Sequence, residues 1–201
     1  MKGSLIIVGF FILGAIAGYT GLLAIDREGV SISLVALCLL IFCVGMGIGR
    51  DIGSLARGLR SLSPRLLLLP LATVLGTLAG CLAVWPLLPG RTAPDVLAVG
   101  SGFAYYSLSS VLITECRGAE LGTIALMANI SREIITLLGA PLLRRWFGPL
   151  APISAGGATS MDTTLPIIAS VCGREYSVLS IYHGFAVDFS VPFLVTLFCN
   201  I

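Results

Sequence analysis

Four polar side chains stand at helical spacing in an otherwise apolar stretch of this sequence. Asn129, Arg132, Glu133 and Thr136 occupy positions i, i+3, i+4 and i+7, which places them along one face of a helix. An ionisable side chain at membrane depth costs about 2.5–3.5 kcal/mol, so such a face must meet protein or water. The stripe therefore predicts either an Arg132–Glu133 pair that holds helices together or a polar surface that binds a solute or a proton.

A second polar segment surrounds Asp162, which has no neighbouring cation in the sequence. Residues 155–166 combine adjacent glycines, hydroxyl side chains and this one carboxylate, and apolar sequence follows directly. Discontinuous transport helices use such features, because small residues let a ligand approach freed backbone groups. The segment predicts a solute site at Asp162 with Thr159, Ser160 and Thr163 as further contacts, and the alternative is a surface loop.

Residues 100–109 have a similar texture, with small residues followed by polar ones, and they add Tyr106 and Ser107 as candidate contacts. Two interrupted hydrophobic segments of matching character are typical of a transporter site formed between broken helices. They favour an internal inverted repeat, although glycine-rich stretches also occur in ordinary close helix packing.

Three further ionisable residues are secondary candidates. His183 and Asp188 are five residues apart, about 140° around an ideal helix, so they do not share one face. Either residue can serve a proton path, and a buried histidine can equally be a packing residue with satisfied hydrogen bonds. Glu115 follows Thr114 near the end of an apolar segment and is either interfacial or part of the site.

The composition excludes an ordinary water-soluble domain. Of the 201 residues 57% are hydrophobic and 11% are charged, and mean hydropathy is +1.03, whereas soluble domains carry about 25% charged residues. The unbroken apolar run at residues 66–88 does not fit the alternating strands of a membrane barrel. We therefore predict an all-α, polytopic helical membrane protein, with residues 1–201 forming a single transmembrane transporter domain in the lipid bilayer.

Apolar segments long enough to cross about 30 Å of hydrocarbon follow one another along the chain. The first contains a signal-peptide-like Ala15-Ile16-Ala17, but its apolar run continues for a full span, which favours a retained helix. Residues 152–171 contain adjacent glycines and Pro166, which favours a broken or re-entrant segment. The sequence thus predicts about six full spans, at residues 4–25, 30–48, 66–88, 95–114, 121–143 and 176–200, plus the broken segment.

The arginines of the loop after the second span predict its side of the membrane. This loop has the strongest local excess of positive charge, so it should be cytoplasmic, and with two spans before it the N-terminus should be cytoplasmic as well. Simple alternation then places Arg144 and Arg145 outside, whereas the positive-inside rule prefers them inside. The loop arginines are Arg50, Arg57, Arg60 and Arg65.

No cofactor motif or metal-ligand cluster is visible in the sequence, so we expect neither a cofactor nor a metal. The six cysteines lack C-x-x-C spacing and are expected to be small buried hydrophobes. The formal net charge of +2 comes mostly from short loops, and it gives no reason to expect nucleic-acid binding.

These polar motifs together resemble the LysO-type lysine exporter family of bacterial inner membranes. The similarity covers nearly the whole chain in the same order, and the segment around Asp162 is the most specific part. The matching motifs are GSGFAYYSLSS at 100–110, TE at 114–115, SRE at 131–133, GATSMDTTLP at 157–166 and HGF at 183–185.

The resemblance implies export of L-lysine, and of toxic analogues such as thialysine, with proton antiport as the driving force. It implies that Glu133 and Asp162 are the functional carboxylates. A dibasic amino acid carries net positive charge, so it needs anions in a desolvated cavity, and Arg132 or the N-terminus of a half-helix can receive its carboxylate. Asn129 belongs to the same set of candidate contacts.

The resemblance also implies a missing part. Full-length members of the family carry a further N-terminal membrane block, and this chain begins where that block would end. We expect either a separate small membrane protein to supply those helices or the chain to assemble with itself as a homo-oligomer.

Three other functions remain open from the sequence. A passive cation or amino-acid channel would also be lined by small residues and carboxylates, and a non-catalytic subunit of a split transporter would tolerate loss of Glu133 and Asp162. An intramembrane hydrolase would use Ser101 as nucleophile and His183 as base, but Val99 stands where a rhomboid-type motif has glycine.

Overall fold

The computed structural model describes residues 64–201, and within that range it contains seven α-helices and no β-strand, as the predicted all-α fold requires. The predicted spans at residues 4–25 and 30–48, and the predicted side of the N-terminus, lie outside the described residues. The helices are α1 (Leu69–Val84), α2 (Ala93–Gly100), α3 (Tyr106–Arg117), α4 (Ala119–Phe147), α5 (Leu150–Gly156), α6 (Leu165–Cys172) and α7 (Ser177–Cys199).

Three of these helices are long and apolar enough to cross a membrane. With flanking 3-10 turns they cover Leu66–Leu87, Ala119–Phe147 and Arg174–Cys199. They correspond to three of the four full spans predicted within the described range, which are thereby confirmed as continuous apolar helices.

The fourth predicted span, residues 95–114, is a hairpin of two helices, which we call hairpin 1. Its helices α2 and α3 contain 8 and 12 residues, so they are only about 12 and 18 Å long. Nη1 of Arg117 at the end of α3 lies 3.6 Å from Oδ1 of Asp95 at the start of α2, whereas a continuous helix would separate these residues by about 33 Å. Arg91 and Glu120, which flank the hairpin, are also in contact. The expected full crossing is therefore replaced by a segment that enters and leaves at the same end.

The chain reverses direction in hairpin 1 at residues 101–105, which we call tip 1. Phe103 and Ala104 have φ angles of +44° and +72°, a backbone conformation that L side chains rarely adopt. The amide of Tyr105 donates to the carbonyl of Gly102 at 2.6 Å and closes the turn. Hydropathy does not register such a change of backbone direction, which is why the segment resembled a full span.

Residues 150–172 form hairpin 2, which enters the bundle from the end opposite to the one where hairpin 1 enters. Its first helix, α5, follows directly after α4, and Arg144 in the last turns of α4 donates to the carbonyl of Val171 at the end of α6. Both ends of the hairpin therefore lie beside the C-terminus of α4. Its turn, residues 157–164, is called tip 2 and begins with the 3-10 helix Gly157–Met161. This arrangement agrees with the broken segment predicted at residues 152–171.

Side-chain contacts fix the directions of the three long helices. Tyr182 near the start of α7 donates to the carbonyl of Leu67, just before α1, at 3.1 Å, so these two helices start at the same end of the bundle. Arg117, just before α4 begins, donates through Nε to the carbonyl of Cys199 at the end of α7 at 2.9 Å, so α4 runs the opposite way. We call the two ends of the bundle the Leu66 end and the Cys199 end.

The helix directions give the order of the described elements between the two ends. α1 runs from the Leu66 end to the Cys199 end, and hairpin 1 follows from the Cys199 end. α4 runs back to the Leu66 end, and hairpin 2 follows from there. A long helix followed by a hairpin thus occurs twice, and the internal inverted repeat stays a prediction.

Two apolar clusters hold the hairpins against α7. The first joins hairpin 1, α4 and α7, and the second joins hairpin 2 to the start of α7. Fully buried members include Phe103, Ile113 and Val191 in the first cluster, and Ile153, Ile168 and Leu179 in the second. The outer faces of the long helices are apolar as well, with Leu138 78% exposed and Phe147 72% exposed, as expected where the surrounding solvent is lipid.

A polar cluster outside the three candidate spans fixes the Cys199 end of hairpin 1. Thr92 and Asp95 form a reciprocal capping box at the start of α2. Burial alone would raise the pKa of Asp95, but the hydrogen bonds from Thr92 and the guanidinium groups of Arg117 and Arg91 outweigh it and hold the pKa below its ordinary value. Asp95 is therefore ionised at neutral pH.

Candidate functional site

The two tips hydrogen-bond to each other within the bundle. The amide of Ala158 in tip 2 donates to the carbonyl of Phe103 in tip 1 at 2.9 Å. Gly157 has a φ angle of +59°, and a Cβ at this position would lie 2.3 Å from the same carbonyl oxygen. Both the backbone angle and the lack of space require glycine here. The polar segments that the sequence singled out at residues 100–109 and 155–166 therefore meet in space.

Asn129, about a third of the way along α4, fixes tip 1. Its side chain is 2% exposed, and its carbonyl oxygen accepts from the amide of Ala104 at 2.8 Å. Its amide nitrogen donates to the carbonyl of Val99 at 3.2 Å and to that of Ala125 at 2.9 Å. Asn129 thus satisfies the strained turn and the last turn of α2 with one side chain, and its polar atoms are already engaged with backbone.

Arg132, the next polar residue on the stripe, binds the end of α5, the helix that leads into tip 2. Its Nε donates to the carbonyl of Ala155 at 2.9 Å and its Nη2 donates to that of Ser154 at 3.0 Å, both near the C-terminus of α5. Its guanidinium carbon also lies 5.6 Å from the ring centroid of Phe103 in tip 1. An Arg132–Glu133 pair was one reading of the stripe, and the structure shows the guanidinium bound to backbone carbonyls instead.

Three carboxylates lie around the tyrosines at the start of α3. Asp162 in tip 2 and Asp188 on α7 are close enough for their charges to interact, and both charges also reach the hydroxyl group of Tyr105. The charges of Asp162 and Glu133 reach the hydroxyl group of Tyr106 in the same way. Asp162 is exposed and the other two acids are half-buried, so they face accessible space rather than the packed core.

Among residues 64–201 none of these three carboxylates forms an ion pair. The two ion pairs within residues 64–201 are Arg91–Glu120 and Arg117–Asp95, and neither uses an acid of this cluster. Closely spaced carboxylates in a low-dielectric region attract cations, and they also take up protons more readily than isolated ones. The arrangement can therefore bind an ammonium group or exchange protons.

His183 lies in a different environment, fully buried between α7, α1 and tip 2. Its Nε2 is 2.8 Å from the hydroxyl of Thr73, and its Nδ1 is 3.0 Å from the hydroxyl of Ser160. The Ser160 hydroxyl also has the carbonyls of Gly157 (2.7 Å) and Ser180 (3.0 Å) within reach, and carbonyls can only accept. The consistent assignment is that Ser160 donates to a carbonyl, His183 donates from Nδ1, and Thr73 donates to Nε2.

The hydrolase alternative required Ser101 beside His183, and the structure does not bring them together. The Ser101 hydroxyl donates to the carbonyl of Leu97 at 2.7 Å, within its own hairpin. Both ring nitrogens of His183 are engaged with Thr73 and Ser160. No nucleophile–base pair exists between these two residues.

The remaining candidates fall into two groups. Thr159 and Thr136 are buried and donate to backbone carbonyls, Thr159 to Gly156 at 2.8 Å and Thr136 to Arg132 at 3.0 Å. Thr163 and Ser107 are exposed, beside Asp162 and Tyr106 respectively, and can contact a ligand.

Glu115 is nine residues beyond the start of α3, about 14 Å along the helix, so the structure does not bring it to the acids.

Three residues of this region escaped the sequence analysis. Thr73 is the partner of His183, and Tyr105 lies among the acids. Gly184 lets α7 approach tip 2, because a Cβ there would lie 2.6 Å from the amide nitrogen of Met161. A hydroxyl inside the apolar run of α1 was the available signal for Thr73, but nothing in the sequence pairs it with a histidine 110 residues later.

Comparison with known proteins gives a family and two relatives. Residues 8–199 match the family described as "Lysine exporter LysO". The Escherichia coli strain K12 lysine exporter LysO is 34% identical over 198 residues, which cover 97% of this chain and 64% of that protein. A relative from Haemophilus influenzae is 39% identical over 104 residues, 52% of this chain and 53% of its own length. The chain thus spans less than two thirds of the length of these relatives, and no solved structure matches it.

Proposed function

Since this chain belongs to the lysine exporter LysO family, a family of transporters and not of enzymes, we propose that it exports L-lysine across the bacterial inner membrane. The observation that carries the proposal is the group of carboxylates, Glu133, Asp162 and Asp188, beside the junction of two re-entrant tips. Broken segments that meet near the membrane midplane are where secondary transporters bind substrate.

The chemistry of lysine matches this group of acids. The substrate carries two ammonium groups and one carboxylate, so its net charge is positive. Glu133 and Asp162 receive the ammonium groups, and Asp188, Tyr106, Ser107 and Thr163 complete the surroundings. The N-terminus of α3, whose first amides have no side-chain cap, can receive the carboxylate.

Proton antiport follows from the same carboxylates. An ionised carboxylate binds an ammonium group, whereas a protonated carboxylate does not. Lysine and protons therefore compete for the acids, which is what an exchanger requires. Toxic analogues such as thialysine keep both ammonium groups and should follow the same path.

The positive-inside rule assigns a direction to this path. The Leu66 end carries Arg65, Arg144, Arg145 and Arg174, and this excess of positive charge supports a cytoplasmic location for that end. Because hairpin 1 does not cross, Arg144 and Arg145 fall on the same side as Arg65, and the conflict raised by simple alternation disappears. Hairpin 2 then faces the cytoplasm and hairpin 1 faces outwards, with the N-terminus cytoplasmic if two spans precede residue 50.

The active assembly contains more than one copy or more than one kind of chain. A small membrane protein or a second copy of the chain completes the path in this proposal. Lysine, protons and lipid are the other partners in this proposal.

The deciding experiment measures lysine efflux from preloaded proteoliposomes under an imposed pH gradient. We expect the intact chain to drive lysine out against its concentration gradient, and Asp162→Asn and Glu133→Gln to abolish this transport. Glu175→Gln, at an exposed acid of the Leu66 end, is the matched control and should keep full activity.

Each alternative function gives a different outcome of this assay. A passive channel would equilibrate lysine but never concentrate it outside. A non-catalytic subunit would show unchanged transport in both acid variants when its partner chain is present. Inactivity of the intact chain alone, restored by co-reconstituting a small membrane protein, would show that transport requires this partner.

A further inference from the structure

Arg132 lies between tip 1 and the end of α5, the helix that leads into tip 2, and it contacts both of them one residue before the proposed substrate carboxylate Glu133. We infer that Arg132 is a positioning residue, which holds tip 2 so that Asp162 faces the substrate, and that it is not the receptor of the substrate's carboxylate. The inference rests on the proposed function for the identity of the substrate, and one of its tests below does not use the substrate.

The hydrogen bonds of Arg132 are those of a helix cap. The last carbonyls of a helix have no partner within the helix, and α5 ends inside the protein at tip 2. Arg132 supplies two donors to two successive carbonyls, those of Ser154 and Ala155, from one planar group. A cation is also favourable at the C-terminus of a helix. These contacts occupy the Nε–Nη2 edge of the guanidinium, one of the two edges that can bind a carboxylate through paired hydrogen bonds.

The same guanidinium also contacts tip 1. Its central carbon lies 5.6 Å from the ring centroid of Phe103, a buried residue with a positive φ angle. Asn129, one turn earlier on α4, holds the neighbouring amide of Ala104. α4 therefore holds tip 1 through Asn129 and the end of α5 through Arg132 on successive turns, and Arg132 also contacts Phe103 of tip 1.

Tip 2 determines the position of the Asp162 carboxylate. Asp162 follows Met161 at the end of the 3-10 helix, six residues after the end of α5. A shift of α5 by loss of its cap therefore displaces the carboxylate directly. Lysine in place of Arg132 keeps the positive charge but cannot bond two adjacent carbonyls with a planar fork.

One nitrogen of Arg132 points to a competing role. Nη1 is 3.4 Å from the hydroxyl of Thr77, a long contact, and the residue lines a cavity of about 390 Å³ together with Thr77, Cys81 and Asn129. If the substrate's carboxylate entered this cavity, Arg132 would bind it from this side. The two roles predict different behaviour toward a ligand that has no carboxylate.

The first test compares binding of L-lysine and 1,5-diaminopentane to the purified intact chain and to Arg132→Lys. A positioning residue acts on both ligands through Asp162, so we expect both to bind about tenfold more weakly, the loss of roughly one charge-assisted hydrogen bond. The double variant Arg132→Lys/Asp162→Asn should bind no more weakly than Asp162→Asn alone, because the two changes act on the same contact. Arg145→Lys, at an exposed arginine near the end of α4, should bind both ligands as the intact chain does.

Two results of this test would overturn the inference. Weaker binding of lysine with unchanged binding of the diamine would make Arg132 the carboxylate receptor. Additive losses in the double variant would mean that Arg132 acts independently of Asp162.

The second test does not depend on the substrate. In a background without native cysteines, Thr163→Cys places a thiol beside Asp162, and its rate of modification by a water-soluble maleimide reports the order of tip 2. We expect Arg132→Lys to raise this rate several-fold while the melting temperature stays within a few degrees of the parent. An unchanged rate in a folded variant refutes the positioning role even if lysine proves to be the wrong substrate.

Discussion

His183 shows how a polar side chain can be buried among apolar helices with all of its hydrogen bonds satisfied. Its ring has Thr73 on one side and Ser160 on the other, from α1 and tip 2, so it ties two elements to α7. A fully buried imidazole with both nitrogens engaged is stable in its neutral form, because an imidazolium would lose solvation without gaining an anion. His183 therefore helps to hold tip 2 against α7.

At this residue we predict that Thr73→Val destabilises the protein. The change removes the donor to Nε2 and leaves a buried acceptor without a partner, which costs about 1–3 kcal/mol. The measurement is the melting temperature of purified protein in detergent, which should fall by several degrees. Thr73→Ser keeps the hydroxyl and is the matched control, so equal losses in the two variants would count against the hydrogen bond.

The stripe on α4 shows how far individual residues could be predicted from the sequence. Its spacing correctly indicated that Asn129 and Arg132 share a face that does not meet lipid. It could not indicate their partners, because these are backbone carbonyls and amides of residues 99, 104, 154 and 155. Every residue type carries such groups, so no letter of the sequence marks the ones that a distant side chain will bind.

At the level of the elements, the two hairpins reverse the chain in different ways. Hairpin 2 turns at Gly157, whose φ of +59° suits glycine, and Pro166 lies in the first turn of the helix that follows. Hairpin 1 turns at Phe103 and Ala104, which carry side chains despite positive φ angles. A strained turn of this kind persists only when its surroundings fix it, and Asn129 and Phe103's burial in the core provide that support.

We predict that Gly157→Ala separates the tips and abolishes lysine transport. The new Cβ would lie 2.3 Å from the carbonyl of Phe103, so one of the two backbones must move, and the positive φ angle adds strain. The melting temperature and proteoliposome efflux both report the change. Gly139→Ala is the control, because its Cβ would meet nothing within 4 Å and alanine favours the interior of a helix. A fully active Gly157→Ala would show that the contact between the tips is dispensable.

The difference between the hairpins explains which element was predicted and which was not. The segment at residues 152–171 was recognised as broken because its glycines and Pro166 are poor in a continuous helix. The segment at residues 95–114 is long and apolar enough for a full span, and its reversal depends on φ angles at Phe103 and Ala104 that those residue types do not suggest. Composition therefore reveals a reversal of the chain that depends on glycine. It does not reveal a reversal that depends on tertiary contacts.

At the scale of the whole molecule, the opposed hairpins give each end of the bundle its own re-entrant element. Hairpin 1 enters the bundle from the Cys199 end and hairpin 2 enters it from the Leu66 end. Their tips meet through the hydrogen bond from the amide of Ala158 to the carbonyl of Phe103. The acids lie beside this junction. Small movements of either hairpin can therefore change access to the acids from one end without opening the other.

This topology predicts that Arg91→Cys and Glu120→Cys are labelled from the same side of the membrane. Their side chains are in contact because hairpin 1 returns to its starting end. In intact cells, with native cysteines replaced, a membrane-impermeant maleimide should label both, and oxidation should link them in the double variant. Arg145→Cys, on the opposite end, should react only after the cells are permeabilised. Labelling of residues 91 and 120 from opposite sides would restore the full crossing predicted from hydropathy.

Hairpin 1 also limits the order in which the protein can be made. Its α2 of 8 residues is too short to cross a bilayer, and the polar groups of tip 1 find their partners on Asn129 and in tip 2, which are synthesised later. As the nascent chain leaves the ribosome, hairpin 1 can therefore complete its packing only after α4 has been made. Its burial against α7 comes only when the last helix is complete, so a message truncated before residue 177 would yield a chain in which hairpin 1 cannot finish folding.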